Sequence, residues 1–339
     1  MKMRVINRFY NNNFPHECSS PFGEARWGFH MNLQNELNKA EGFRNLELLA
    51  KQVVEGFISG MHKSPFHGFS AEFAEHKIYN QGESTRHIDW KLFAKTDKLY
   101  TKRYDDETNL RCHIILDNSS SMHYPKLDTF SINSLNKISF SALAAASLMQ
   151  ILKRQRDAVG LSIYSDKYDY YAPEKGSERH HQMLLSHLSE AVVSKPLNKQ
   201  TETYKYLHEI AEKMHRRSLV FLFTDMFQTT EDDARLFEAL RHLKYNKHEV
   251  VLFHVFDKKN ELNFDFDNKP KRFIDVETGA YINLYADSIK ESYTKAVSAY
   301  FEALKLKCAQ YKIKYVEADI NENFNNILTT YMVERQKFR

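Results

Sequence analysis

Five residues set the chemistry open to this chain: Asp117, Ser119 and Ser121, close together, and the later Thr201 and Asp225. The first three offer one anionic and two neutral oxygen donors within one short stretch, a set suited to a hard cation such as Mg2+, or to Mn2+ or Ca2+. Asp225 closes a second apolar run, Leu219 to Phe223, as Asp117 closes the run Cys112 to Leu116. If the two runs are neighbouring strands, their tips lie about 5 Å apart. Carboxylates that close repel unless positive charge sits between them. A divalent cation meets that need, with Ser119, Ser121 and Thr201 as neutral ligands and water completing the shell. One coordination position then stays free for a carboxylate from a partner protein. Thr203 is close to Thr201 and contests its place.

The elements that position these residues read as an α/β fold, a doubly wound and mostly parallel sheet with a small β-rich accessory unit. Cys112 to Leu116 is a continuous apolar run of strand length, as a central parallel strand requires. Ile138 to Leu152, apolar nearly all round, is the helix after it. Strands follow at Ala158 to Tyr164, Tyr168 to Ala172, Leu219 to Phe223, Val250 to Phe256 and Ile313 to Ala318. Helices fall at His180 to Val193, Thr201 to Met214, Glu231 to Leu243, Asp287 to Ala309 and Phe324 to Arg335, with a hairpin between Arg272 and Leu284. Alternation of this kind means a parallel sheet with helices on both faces. Before it, Leu37 to Ile58 has helical periodicity, with Gly56 and Gly60 bringing the helix to an end. Residues 64 to 108, rich in aromatics, read as antiparallel strands rather than helices, including Lys77 to Tyr79 and Leu99 to Tyr104. The expected divisions are an irregular arm over 1–32, a helix plus β-rich unit over 33–108, and the α/β domain over 109–339.

Composition narrows the function classes. With 42% hydrophobic and 27% charged residues in 339, the chain can bury a sizeable core. A formal charge of +4 does not imply a nucleic-acid partner, and the basic clusters Lys213 to Arg217 and Lys269 to Arg272 have no recognition motif around them. The cysteines Cys18, Cys112 and Cys308 form no CxxC pair, which argues against a disulfide framework or thiolate metal site and for a reducing compartment. No apolar run reaches the roughly 18 residues of a membrane span, and the first 30 residues lack a signal-peptide core. The expectation is a cytoplasmic protein without a membrane span.

Asp117-x-Ser119-x-Ser121, followed by Thr201 and by Asp225 in Phe223-Thr224-Asp225, resembles the metal-ion-dependent adhesion site of von Willebrand factor A domains. A second resemblance covers more of the chain, from about residue 40 to the end. Tyr79-Asn80-Gln81-Gly82-Glu83-Ser84-Thr85-Arg86-His87-Ile88-Asp89-Trp90 is similar to the Y-x-x-G-D-x-x-R-x-I-D-W signature of DUF58 proteins, with Glu83 where the family usually has aspartate. That bacterial family carries a von Willebrand A-like domain. The resemblance implies a non-catalytic, metal-dependent adaptor that works with a MoxR-type AAA+ ATPase in assembling or activating other proteins. Gly82, Glu83, Arg86, Asp89 and Trp90 read as structural, through an Arg86 to Asp89 pair and a packed indole, or alternatively as a direct partner contact.

Other chemistry fits less well. Phosphohydrolases that use a strand-end aspartate as nucleophile carry D-x-D, and residue 119 is serine. No G-x-S-x-G elbow, P-loop or G-x-G-x-x-G occurs. The chain is therefore expected not to be an enzyme, with an Mg-dependent phosphohydrolase and a scaffold with an empty metal site as the alternatives. His180-His181 is expected on a helix surface.

Overall fold

The strand that ends in Asp117 has a bonded neighbour on each side and is buried on both faces from Cys112 to Asp117. The computed structural model describes residues 9–11, 46–61, 76–78, 90–96, 98–102, 110–127, 134–165, 167–194, 203–226, 230–267, 269–275 and 280–336. In chain order the strands are β1 (Phe9–Asn11), β2 (His76–Ile78), β3 (Tyr100–Lys102), β4 (Arg111–Asp117), β5 (Ala158–Tyr164), β6 (Tyr168–Lys175), β7 (Leu219–Thr224), β8 (Glu249–Phe256), β9 (Pro270–Asp275), β10 (Tyr281–Tyr285) and β11 (Lys314–Asp319). The helices are α1 (Leu46–Met61), α2 (Trp90–Thr96), α3 (Lys137–Arg154), α4 (Glu178–Val193), α5 (Thr203–Lys213), α6 (Thr230–Tyr245), α7 (Ala286–Gln310) and α8 (Asn325–Gln336).

Two compact units divide the chain, Met1–Phe57 with Leu110–Phe338, and Ile58–Asn109. In the larger, six strands run in the order β11-β8-β7-β4-β5-β6, all parallel except β6, which is antiparallel to β5. The fold is thus α/β and doubly wound. The first strand of this sheet lies between the second and the fourth, so strand order reverses between β4 and β7. Ligands of open α/β sheets bind at the carboxyl ends of the strands at such a point.

Alternation along the strands sends Ile115, Val220, Leu222, Val250 and Leu252 into one core with Leu207, Leu240 and Leu304. On β7 and β8, the intervening Phe221 and Phe253 make ring contacts with each other, and Phe221 meets Tyr331 of α8 edge-on. Helix α3 is buried from Lys137 to Leu152. A capping box fixes its start: the Asn136 side chain accepts from the Ser139 amide at 2.9 Å, and the Asn136 amide donates to Ser139 Oγ at 3.0 Å. The sheet β1-β9-β10 is antiparallel, with β9 and β10 forming the expected hairpin.

The smaller unit holds the antiparallel pair β2 and β3, where alternation predicts strands, but also the helix α2. Its sequence, Trp-Lys-Leu-Phe-Ala-Lys-Thr, contains no Gly or Pro and four good helix formers. Two further expectations are corrected. Helix α1 runs through Gly56 to Met61, because its buried stripe of Leu46, Leu49, Ala50, Val54 and Phe57 outweighs the roughly 1 kcal/mol that an interior glycine costs. His180 and His181 are buried, since both fall on the inward stripe of α4, and His180 Nε2 lies 2.9 Å from the Val159 carbonyl of β5.

Candidate metal centre

At the switch point, one short turn gathers side-chain oxygens. Asp117 ends β4, its Oδ1 accepts the Ser119 amide at 2.9 Å, and the chain passes into a 3-10 turn over Ser120–His123. This Asx-type turn follows from an aspartate meeting hydroxyl residues as the ladder ends. It leaves Ser119 Oγ and Ser121 Oγ 3.1 Å apart. From the adjacent strand, the Thr224 hydroxyl donates to Asp117 Oδ2 at 2.7 Å and accepts from the Met226 amide at 3.2 Å. Asp117, Ser119, Ser121 and Asp225 are all nearly inaccessible to solvent.

Burial pushes the Asp117 carboxyl up to about 6, and the charge of Asp225 adds to the effect, while the bonds from Thr224 and Ser119 pull the other way. Asp225 follows the end of β7, the strand bonded to β4, so its charge bears on Asp117. Asp225 is fixed from two sides. Its carbonyl lies 2.9 Å from His254 Nε2, and His254 Nδ1 is 2.7 Å from the Tyr315 hydroxyl. Burial drives His254 down to about 4, against the pull of Asp225, so the ring is neutral at pH 7. A carbonyl only accepts, so Nε2 carries the hydrogen and Nδ1 accepts from Tyr315.

The Asp225 carboxylate meets a cation that belongs to the chain. Lys137, the first residue of α3 and 1% exposed, places Nζ 3.0 Å from Asp225 Oδ2 and 2.7 Å from Glu261 Oε1. Burial alone would favour loss of its proton, but the two carboxylates more than reverse this and hold the ammonium charged. Glu261 is nevertheless pushed up by burial, in spite of Lys137, because one ammonium serves two acids and Asp225 adds its own repulsion. Glu261 lies in a π turn over Lys258–Leu262, with Oε2 accepting the Asp257 amide at 2.8 Å and its carbonyl accepting the Tyr293 hydroxyl at 2.8 Å.

The donor set suits a small hard cation. Mg2+ to oxygen distances of about 2.0–2.1 Å put adjacent octahedral ligands about 2.9 Å apart, close to the separation of the two serine hydroxyls, which is equally that of an ordinary hydrogen bond. The Tyr164 hydroxyl is fully buried beside Asp117, Thr203 and Thr224. Among the described residues no group of three or more His, Cys, Asp or Glu side chains is placed to hold a metal. An ion here would rest on carboxylate, hydroxyl and water.

Of the residues singled out by sequence, the fold brings Asp117, Ser119, Ser121 and Asp225 to one edge. Thr201 lies outside the described residues, as do Gly82, Glu83, Arg86 and Asp89. Thr203 opens α5 and is buried. Trp90 opens α2, 61% exposed and edge-on to Phe93. Sequence reasoning missed Lys137, Thr224, His254 and Glu261. A lysine directly before an apolar helix was the available signal for the first; Glu261, in a stretch without periodicity, offered none.

The chain is similar to an uncharacterized protein of Mycobacterium tuberculosis, 20% identical over 262 residues that cover 77% of this chain and 78% of the relative. The Mycobacterium bovis relative gives the same figures. Among solved structures it is similar to the conserved hypothetical protein BatB from Bacteroides thetaiotaomicron, with 15% identity, a TM-score of 0.42, and coverage of 68% of this chain and 100% of that one. An aerotolerance-related membrane protein from Bacteroides fragilis matches with 14% identity, a TM-score of 0.41, and coverage of 67% and 99%. Residues 75–301, most of the chain, match the family described as protein of unknown function DUF58, and the chain belongs to that family.

Proposed function

We propose that this is a non-catalytic, cytoplasmic adaptor with a von Willebrand A-like domain, whose Asp117 turn holds Mg2+ or a similar ion and through it captures a protein partner. One observation carries the reading: Asp117, Ser119 and Ser121 converge at the switch point with a second acid, Asp225, close enough to act on the first. The bound ion would supply a directional positive contact for a partner's carboxylate. Asp117 is oriented for that role by Thr224 and by the Ser119 amide. The absence of a second acid at position 119 supports binding over phosphoryl transfer. The working partner is a MoxR-type AAA+ ATPase, from the family resemblance. No described helix is long and apolar enough to cross a membrane.

Calorimetric titration with Mn2+ tests the site, and capture of the ATPase with and without EDTA tests its use. Wild-type protein should bind Mn2+, Asp117→Ala should not, and EDTA should abolish capture. Phosphoester turnover that Asp117→Ala removes would overturn the non-catalytic reading. A second reading, a scaffold without a metal, is favoured by Lys137, which already gives Asp225 a counter-ion. Capture unchanged by EDTA would decide for it.

A further inference from the structure

Lys137 is unusual in position as well as in charge. A cation at a helix N-terminus faces the positive end of the helix dipole, and a fully buried ammonium loses its hydration. Both costs are met by what Nζ touches: Asp225 Oδ2 and Glu261 Oε1. Glu261 cannot readily follow a departing Asp225, because the Asp257 amide and the Tyr293 hydroxyl fix its turn. To coordinate an ion at the Asp117 turn through Oδ2, Asp225 would have to leave the ammonium.

We propose that Lys137 is an internal cation that competes with the divalent ion for Asp225, drawing Oδ2 away from direct coordination and holding metal affinity down. This rests on the reading of Asp117, Ser119 and Ser121 as a cation site. An ion held at Asp117, Ser119 and Ser121 without Asp225 Oδ2 is held more weakly, because affinity follows the charge and number of ligands. A partner's carboxylate then supplies the anionic ligand that Asp225 withholds. Ion and partner each strengthen the binding of the other, as linkage demands, and the adaptor grips only when both are present.

The test measures Mn2+ binding, by calorimetry and by the paramagnetic signal of the free ion, for wild type and for Lys137→Met/Glu261→Gln. That double variant removes one positive and one negative charge and takes the ammonium away from Asp225 Oδ2. Lys137→Gln/Glu261→Gln, which keeps an amide beside Asp225, is measured alongside in case the first does not melt cooperatively. Either variant should bind Mn2+ about tenfold or more tightly than wild type, and its melting temperature should rise further on Mn2+ addition. Binding by the variant but not by wild type would support the competition while overturning the metal reading of the natural protein. Equal or weaker binding by the variant, with wild type binding, would overturn the competition and leave the metal reading intact. Binding by neither would overturn both.

Discussion

At the amino edge of the central sheet Asp157 meets Arg335 one to one, whereas at the carboxyl edge Lys137 serves Asp225 and Glu261 with the Asp117 carboxylate beside them. The first network is closed. Asp157 accepts Arg335 Nε at 2.9 Å, Arg335 Nη2 at 3.2 Å and the Leu110 amide at 3.1 Å, so it ties α8 and the start of β4 to β5. Among the described residues the second sets three acids, Asp117, Asp225 and Glu261, around the single ammonium of Lys137. A satisfied, neutral network specifies a fold; an acid-rich one at a switch point is a place where a ligand could improve matters.

The largest effects should come from breaking each network in turn. Asp157→Ala leaves Arg335 without its carboxylate and should cost about 3 kcal/mol in urea unfolding. Lys137→Met leaves two buried carboxylates and should cost about 4 kcal/mol in metal-free buffer. The two should differ in response to Mn2+, which ought to restore much of the stability of Lys137→Met and none of that lost in Asp157→Ala. A smaller effect is expected from Gly160→Ala, which probes the packing of the amino edge. A Cβ there would meet His113 Nδ1 at 2.5 Å and the Ala172 carbonyl at 2.9 Å, and His113 is held by Glu174 and Ser162, so neither neighbour yields easily. A loss of about 2 kcal/mol, read as a lower melting temperature with unchanged Mn2+ affinity, would keep the two edges independent.

The smallest effect is a pH dependence in which two buried groups, His248 and Asp117, work in opposite senses. His248, whose Nδ1 accepts the Ser218 amide at 3.1 Å, is pushed down to about 4 by burial. The unfolded ring titrates near 6.5, so between these values the unfolded chain binds the extra proton and stability falls as pH is lowered. Asp117, raised to about 6, works in the opposite sense: the folded state takes up its proton first, and acidification below that value relieves a penalty. His248→Gln should therefore flatten the wild-type loss of stability between pH 6.5 and 5 by about 1 kcal/mol, measured as the difference between the two urea curves.

The fold was legible because its main signal is hydrophobic. Cys112 to Leu116 and Leu219 to Phe223 announce buried parallel strands, and the sheet sets β4 beside β7. Half of the centre was legible for the same reason, since strand ends mark where polar groups gather. The other half was not. Lys137 reads as the residue before an apolar helix, and nothing in its type says that its side chain turns back toward Asp225. Glu261 arrives from a turn far along the chain, in a stretch without periodicity. Long-range ion pairs leave no spacing in a sequence. Helix α2 was hidden by the aromatics around it, which weigh toward strands.

Crystals of the wild-type protein soaked in Mn2+ and measured at the manganese edge give the most direct test. The account requires an anomalous peak within coordination distance of Asp117, Ser119 and Ser121, with Asp225 still paired to Lys137. A map with no peak at that turn, at a concentration that saturates a weak site, would contradict it.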